Sequence, residues 1–423
     1  MSSETFVDKM KSIQNSLLEF LEDESDSEDK YESFINLVST QQIINEEHEF
    51  KELLQLISII MNGHHRVLNF ISKAEQILRQ FNQSILNYFD NSEIFDIFKN
   101  NKRILLFLIE EKILTVDEYI FSIITKDEYI KKKYCEYFQP EIKQFLAIEI
   151  IYEYSDKNDS LINDEFINRM NKEIEKDFYE KRRIGENDGY LCQLIRLDKI
   201  NEFVMFVEQT NLSADDKIKE SIFETNQLLI DKSNVTILEY ALFFGSLKII
   251  NYLIRKTNKA DPEMWIYSIH TNNAKLIHLL EDYQIEPDSQ QILRESIKCH
   301  HNNISNYIIN NLIEKEDIEY SIEYEYYGNI YQYAVESHNY CFFPANLKTA
   351  NMFSYLCEFD YYSLVKLYLS EGNINIKAKI QIINYLNDIL NQKYSRNSIF
   401  FLIFEYLNDL WNLTLTFKWS STI

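Results

Sequence analysis

The stretch that decides the fold reads TILEYALFFG over residues 236–245 and continues as SLKIINYLI over residues 246–254. Each half is largely apolar, and Gly245 stands between them. Glycine adopts the left-handed backbone at the end of a helix without a steric penalty. We therefore predict two short helices joined by a tight turn, with Thr236 at the start, Leu238 and Ala241 in the core of the first helix and Leu253 in the core of the second.

The same order of core residue, small residue, turn residue and outer-helix core residue recurs along the chain. A short helix pair cannot bury its apolar face alone, so we predict that neighbouring pairs stack into an array with a concave surface along the inner helices. Because glycine is missing from most units, we predict that Asn, Asp and His form the turns. The recurrences are Leu191, Leu194, Asp198 and Phe206; Trp265, Ser268, Asn272 and Leu280; Leu293, Ser296, His300 and Ile308; and weaker ones with Ala334 and Leu356 at the small-residue position.

These units resemble the ankyrin repeat, which begins with Thr-Pro-Leu-His-x-Ala. Ile237 replaces the proline of that pattern and Glu239 replaces its histidine. Several phrases, among them EKRRIGENDGYLCQLIRLDKINEF, LEYALFFGSLKIINYL and NNAKLIHLLED, are similar to the large trichomonad-type protist family of ankyrin-repeat proteins, in which an uncharacterised helical domain precedes the repeats. The resemblance covers roughly residues 1–375 and implies an interaction protein without assigned catalytic residues.

The rest of the chain also has a helical pattern. Phe6, Met10, Ile13, Leu17 and Leu21 recur every three or four residues and predict one face of a helix. A long charged helix is predicted over roughly 160–183, with Gly185 in the left-handed region at its end and Asn187 or Asp188 capping the next helix. We predict an all-α protein: a helical N-terminal domain at 1–185, a degenerate ankyrin-repeat solenoid at 186–376 and a helical C-terminal cap or tail at 377–423.

Composition excludes several classes of protein. The chain has 6 Gly and 4 Pro among 423 residues, whereas the two make up roughly 12% of an average protein. Sheet proteins built on tight turns and glycine-rich phosphate-binding enzymes are therefore unexpected. The net charge of −24 repels a phosphate backbone, so we expect no nucleic-acid partner.

Residue types that carry chemistry do not form a recognisable site. The adjacent pairs His64-His65 and His300-His301 point about 100° apart if helical and lack a metal-ligand spacing. The five cysteines have no CxxC pair, which favours reduced thiols in the cytosol. Nucleophile motifs are also missing. We therefore predict no catalytic residue, metal or cofactor.

The predicted function is that of a cytoplasmic scaffold or adaptor that binds other proteins, preferably with basic surfaces. Aligning the units places five side chains on the exposed inner-helix face: Glu239, Phe243, His270, Arg294 and Lys298. Two alternatives stay open. One is an enzyme with an unrecognised active site in residues 1–185, and the other is a membrane-tethered adaptor that uses the apolar segment 399–417, in which Glu405 and Asp409 disfavour insertion.

Overall fold

The computed structural model describes residues 2–25, 27–64, 67, 69–126, 134–152, 170, 173–232, 234–257, 261–313, 323–344, 347, 352–371 and 402–403, with backbone alone at 147–152 and 323–329. Over these residues the chain is α-helical, and its β-structure is limited to an isolated antiparallel bridge between Lys217 and Thr236. The all-α prediction is confirmed. The helices are α1 Ser3–Leu21, α2 Glu28–Thr40, α3 Glu47–Ile60, α4 Phe70–Tyr88, α5 Asn91–Phe98, α6 Lys102–Glu110, α7 Glu118–Lys126, α8 Gln139–Tyr152, α9 Phe178–Ile184, α10 Tyr190–Arg196, α11 Ile200–Thr210, α12 Gln227–Asp231, α13 Ile237–Phe244, α14 Leu247–Thr257, α15 Met264–Ile269, α16 Ala274–Asp282, α17 Ser289–Lys298, α18 Asn302–Asn311, α19 Glu323–Glu336, α20 Met352–Glu358 and α21 Tyr362–Ser370, with 3-10 turns at Ile43–Asn45 and Tyr340–Phe342.

The chain forms two compact units. The first unit consists of Met1–Leu56 and Ser296–Ile423, and the second consists of Ile57–Glu295. The boundary that we predicted after residue 185 therefore falls inside the second unit. Most of the C-terminal segment predicted at 377–423 lies outside the described residues.

The first unit joins the two ends of the described chain. Helix α1 packs against α2, the Tyr340–Phe342 turn and α21, while α20 packs between α19 and α21. The apolar stripe predicted on α1 is confirmed, because Phe6, Met10, Ile13, Leu17 and Leu21 are all fully buried.

A buried amide side chain links α1 to the C-terminal part of this unit. The Gln14 Nε2 group donates to Asn339 Oδ1 at 2.8 Å, and Gln14 Oε1 accepts the backbone N–H of Tyr340 at 2.8 Å. Gln14 is fully buried. Because burying an unpaired amide costs free energy, these bonds fix the position of α1 against Asn339 and Tyr340.

The second unit contains three helix pairs where the sequence predicted them, namely α10/α11, α13/α14 and α15/α16. The first helices of the pairs pack side by side, α10 on α13 and α13 on α15, and α11 packs on α14. Small or apolar residues fill the close approach, with Leu194, Ala241 and Ser268 at most 2% exposed.

The turn prediction is confirmed residue by residue. The turn inside each of these three helix pairs contains one residue with positive φ: Asp198 at 47°, Gly245 at 64° and Asn272 at 49°. His300, at 58°, has the same conformation between α17 and α18. Asp360 adopts the same conformation between α20 and α21, and so does His338 after α19. Asn, Asp and His tolerate this region better than most residues, and they occupy these turns as predicted.

Two local predictions need correction. The long helix predicted over roughly 160–183 is wrong over 173–177, which are not helical; helix α9 begins only at Phe178, whose ring is buried against Phe223. The cap predicted from Asn187 is instead a turn, because Asn187 Oδ1 accepts the N–H of Gly189, which precedes α10. Gly185 does end α9 with a φ of 73°, as expected.

The sequence pattern missed helix α5, although its start has a readable signal. The Asp90 carboxylate accepts the Glu93 N–H at 2.9 Å, and the Glu93 carboxylate accepts the Asp90 N–H at 3.0 Å. This reciprocal capping box needs an Asp, Ser or Thr followed three residues later by Glu.

Among the described helices, none has both the length and the apolar character that crossing a bilayer requires. Apart from 402–403, the apolar segment 399–417 lies outside the described residues.

Candidate recognition surface

Neighbouring helix pairs of the second unit are joined by polar contacts as well as by apolar packing. The carboxylate of Asp198, in the turn of the first pair, accepts the N–H groups of Lys248 at 3.2 Å and Ile249 at 3.1 Å in the first turn of α14. The Ser246 hydroxyl donates to the Ile195 carbonyl at 2.6 Å. These bonds satisfy helix-end groups that have no partner within their own helix, so they fix the spacing of adjacent pairs.

Glu239 lies at the start of α13 and has a structural role there. Its carboxylate accepts the Thr236 N–H at 2.7 Å, and Thr236 Oγ1 accepts the Glu239 N–H at 3.2 Å. Lys232 Nζ lies 2.9 Å from the same carboxylate. Burial opposes ionisation, but the Thr236 N–H and the Lys232 ammonium outweigh it and hold the pKa of Glu239 below its usual range.

Lys232 connects three groups on this part of the surface. Its ammonium forms ion pairs with Glu239 and Glu263 and lies 5.0 Å from the ring centre of Tyr267 on α15. The arrangement combines carboxylates with an aromatic ring, which is how proteins hold an organic cation.

Phe243 and His270 are in contact with each other, but they are buried. Their ring centres are 5.4 Å apart, and their exposed fractions are 1% and 4%. His270 Nε2 lies 2.7 Å from Glu295 Oε1 on α17. The prediction that Phe243 and His270 are exposed is wrong, because the close stacking of the inner helices covers these two positions.

The other three predicted residues remain accessible to different degrees. Arg294 and Lys298 are exposed and lie four residues apart on one helix, α17. Glu239 is mostly buried, with 17% of its side chain exposed. Arg294 lies in the second unit and Lys298 in the first.

Sequence reasoning missed Lys232, Glu263 and Glu295. Glu239 carried a signal, since it stands three residues after Thr236 in the spacing of a capping box. Lys232 lies before the helix in a loop, and no periodicity marks it. Only the tertiary structure brings Lys232 to Glu239 and Glu295 to His270.

A buried carboxylate organises the loop between the first and second helix pairs. Glu224 is 6% exposed and accepts the backbone N–H groups of Asn187 at 3.2 Å, Thr225 at 3.0 Å and Asn226 at 2.9 Å. Burial raises its pKa although these N–H groups favour the charged form. The glycine-containing segment 185–189 is thereby hydrogen-bonded to this loop, so the segment has a structural role.

The described histidines of the two pairs singled out by the sequence, His64, His300 and His301, are buried. In the first unit, His300 Nδ1 lies 3.1 Å from Gln14 Nε2, and His300 Nε2 lies 2.8 Å from the Ser337 carbonyl, so both ring nitrogens are engaged. His64 stacks on Phe70 with ring centres 5.0 Å apart. His301 is buried and His65 lies outside the described residues.

Comparison with known proteins adds no identity. No family model, curated protein or solved structure matches the chain.

Proposed function

We propose that this protein is a cytoplasmic scaffold or adaptor of the ankyrin-repeat type, related to the trichomonad-type protist family, and that it recognises other proteins through the inner-helix surface of its stacked helix pairs. The observation that carries the proposal is the recurrence of one unit: a short inner helix, a positive-φ turn and an outer helix, with inner helices packed side by side. Arrays of this kind present an extended surface that is suited to protein partners.

The charges of the surface support a partner with basic groups. Glu239 and Glu263 place two carboxylates against one ammonium group, Lys232, so this part of the surface carries a net negative charge. The net charge of the chain, −24, adds long-range attraction for basic proteins.

The test is quantitative affinity capture with the full-length chain, comparing the wild type with Glu263→Lys, a charge reversal at an exposed position just before the inner helix α15. The matched control is Glu202→Lys, which makes the same charge change at an exposed position of the outer helix α11. We expect the inner-helix variant to lose partners that the control retains. Identical partner sets for all three proteins would refute the inner-helix surface as the recognition site.

A further inference from the structure

A buried histidine lies in the first unit, two residues after α19. His338 has a φ of 53° and is 5% exposed. Neither of its ring nitrogens has a hydrogen-bond partner among the described residues. Its ring stacks on the fully buried ring of Tyr361, with ring centres 4.5 Å apart. Burying a charged imidazole without a partner costs far more free energy than burying a neutral one. His338 can therefore take up a proton only if this part of the unit opens.

The same aromatic cluster holds a buried carboxyl group. Tyr361 and Tyr340 pack edge to face with ring centres 6.1 Å apart, and the Tyr340 hydroxyl donates to Glu52 on α3 at 3.3 Å. Glu52 also accepts the N–H of Ser363, in the first turn of α21, at 3.1 Å. Burial raises the pKa of Glu52 to about 8 and lowers that of His338 to about 3. At neutral pH the folded unit thus contains a protonated acid and an unprotonated base.

The charged side chains closest to Glu52 are paired. Glu49, three residues before Glu52 on α3, adds to the raised pKa of Glu52 and lies 2.6 Å from the ammonium of Lys9 on α1. Lys51 on α3 forms an ion pair at 2.7 Å with Asp360, which precedes α21. Each of these carboxylates is therefore balanced by a cation on a neighbouring element.

Other titratable side chains on the surrounding elements are uncharged near neutral pH. Burial raises the pKa values of Tyr340, Tyr361 and Cys357, so all three keep their protons. Burial lowers the pKa of His48 on α3, which favours its neutral form. These neutral neighbours offer no counter-ion to a protonated His338.

The cluster lies where the N-terminal part of the unit, Met1–Leu56, packs on the C-terminal part. Gln14 on α1 bonds to Asn339 and to the Tyr340 N–H, both directly after His338 in the chain. The Ser3 N–H and hydroxyl both donate to Glu371, just after α21, at 2.7 and 2.8 Å. Because these bonds join residues more than 300 positions apart, separating the two parts of the unit breaks them together.

We propose that this cluster is a proton-sensitive latch, in which a protonated Glu52 and a neutral His338 hold the N-terminal part of the first unit on its C-terminal part. Acid opens the latch by placing a charge on His338, and base opens it by removing the proton from Glu52. In the open state both groups are in water, where their pKa values return to the ordinary 6.5 and 4.5.

The pH range of the latch follows from proton binding. Below pH 6.5 the open state binds a proton at His338 that the closed state takes up only near pH 3, so each pH unit of acidification favours opening about tenfold. Above pH 4.5 the open state releases the Glu52 proton, which the closed state keeps up to about pH 8, so each pH unit upward favours opening about tenfold. The two effects cancel between pH 4.5 and 6.5, and the latch is closed most firmly there.

The experiment follows hydrogen exchange of the full-length chain by mass spectrometry at pH 5 and pH 7.5, in peptides from α1 and from 334–343. The variant is His338→Asn, which removes the titrating ring and leaves a residue that tolerates the left-handed backbone. The matched control is His278→Asn, the same change at an exposed histidine of the second unit. Each variant is compared with the wild type at the same pH, so that the intrinsic exchange rate cancels. His338→Phe, which keeps an aromatic ring, replaces His338→Asn if circular dichroism shows that the latter is unfolded.

We expect the opening constant of the wild type, divided by that of His338→Asn, to rise about 30-fold from pH 7.5 to pH 5. The same ratio for Glu52→Gln should fall, by about 200-fold, and the ratio for the control should stay constant. A ratio for His338→Asn that is equal at both pH values would overturn the proposal. A rise confined to 334–343 would also overturn it, because the docking of α1 would then be independent of His338.

Discussion

Glu52 on α3 is a carboxyl group whose burial makes the stability of the first unit depend on pH. It is 1% exposed. Its Oε1 accepts the Ser363 N–H at 3.1 Å, and its Oε2 accepts the Tyr340 hydroxyl at 3.3 Å. Burial raises its pKa to about 8, against 4.5 for an ordinary glutamate, and the two hydrogen bonds offset only part of this.

The direction of the effect follows from proton binding. Below pH 4.5 Glu52 holds its proton in both the folded and the unfolded chain, so its titration does not reduce the stability of the first unit. Between pH 4.5 and 8 the unfolded state has released it while the folded state retains it, so stability falls by about 1.4 kcal/mol per pH unit. At pH 7 the accumulated cost is about 3 kcal/mol.

We therefore predict that Glu52→Gln stabilises the first unit at neutral pH. The neutral amide can accept from Ser363 and donate to the Tyr340 oxygen without a proton to lose. The gain in free energy of unfolding should be about 3 kcal/mol at pH 7, larger at pH 8 and small near pH 5. Burial lowers the pKa of His338 in the same unit to about 3. His338 is present in both proteins, so its titration cancels in the difference.

The assay is hydrogen-exchange mass spectrometry of the full chain along a urea series, following peptides from α1, α3 and α21. Glu47→Gln, at an exposed position of the same helix, is the control and should show no such pH dependence. If Glu52→Gln unfolds at the same urea concentration as the wild type at pH 7, the raised pKa of Glu52 does not destabilise the first unit. A gain that is equal at pH 5 and pH 8 would show that packing, and not ionisation, is responsible.

Four further predictions concern the turns and the buried ion pair of the second unit. Lys112 has a φ of 61° and is exposed, so Lys112→Gly should raise the free energy of unfolding by about 1 kcal/mol, as measured by urea unfolding. Gly245 has a φ of 64°, so Gly245→Ala should lower the free energy of unfolding by about 1–2 kcal/mol. A more stable Gly245→Ala variant would show that the positive φ imposes no strain on alanine. Asp198→Ala removes the acceptor for the start of α14 and should cost about 1–2 kcal/mol, while Asp198→Asn should cost much less; equal losses would mean that the cap contributes nothing. Arg182 is 2% exposed and pairs with Glu141 at 2.8 and 2.9 Å. Arg182→Ala should therefore lower the free energy of unfolding by about 3–5 kcal/mol. A melting temperature within a degree of the wild type would refute this.

The sequence predicted the features that depend on neighbouring residues. The stripe from Phe6 to Leu21 specified the buried face of α1, because apolar residues three or four apart share one side of a helix. The turn positions Asp198, Asn272 and His300 followed from their spacing to a buried core residue and were found with positive φ. The charged segment before Phe178 was predicted to be helical, but residues 173–177 are not.

For the proposed recognition surface, the sequence alone determined which residues lie on the first helix of each pair, and the structure decided which of them are accessible. Arg294 and Lys298 are exposed, whereas Phe243 and His270 are covered because aromatic rings fill the space between closely packed neighbours. Contacts such as Gln14 with Asn339, or Lys232 with Glu263, join residues whose separation carries no pattern. The periodicity of a sequence describes one helix at a time. Burial and side-chain pairing depend on how helices that are far apart in the chain pack against each other.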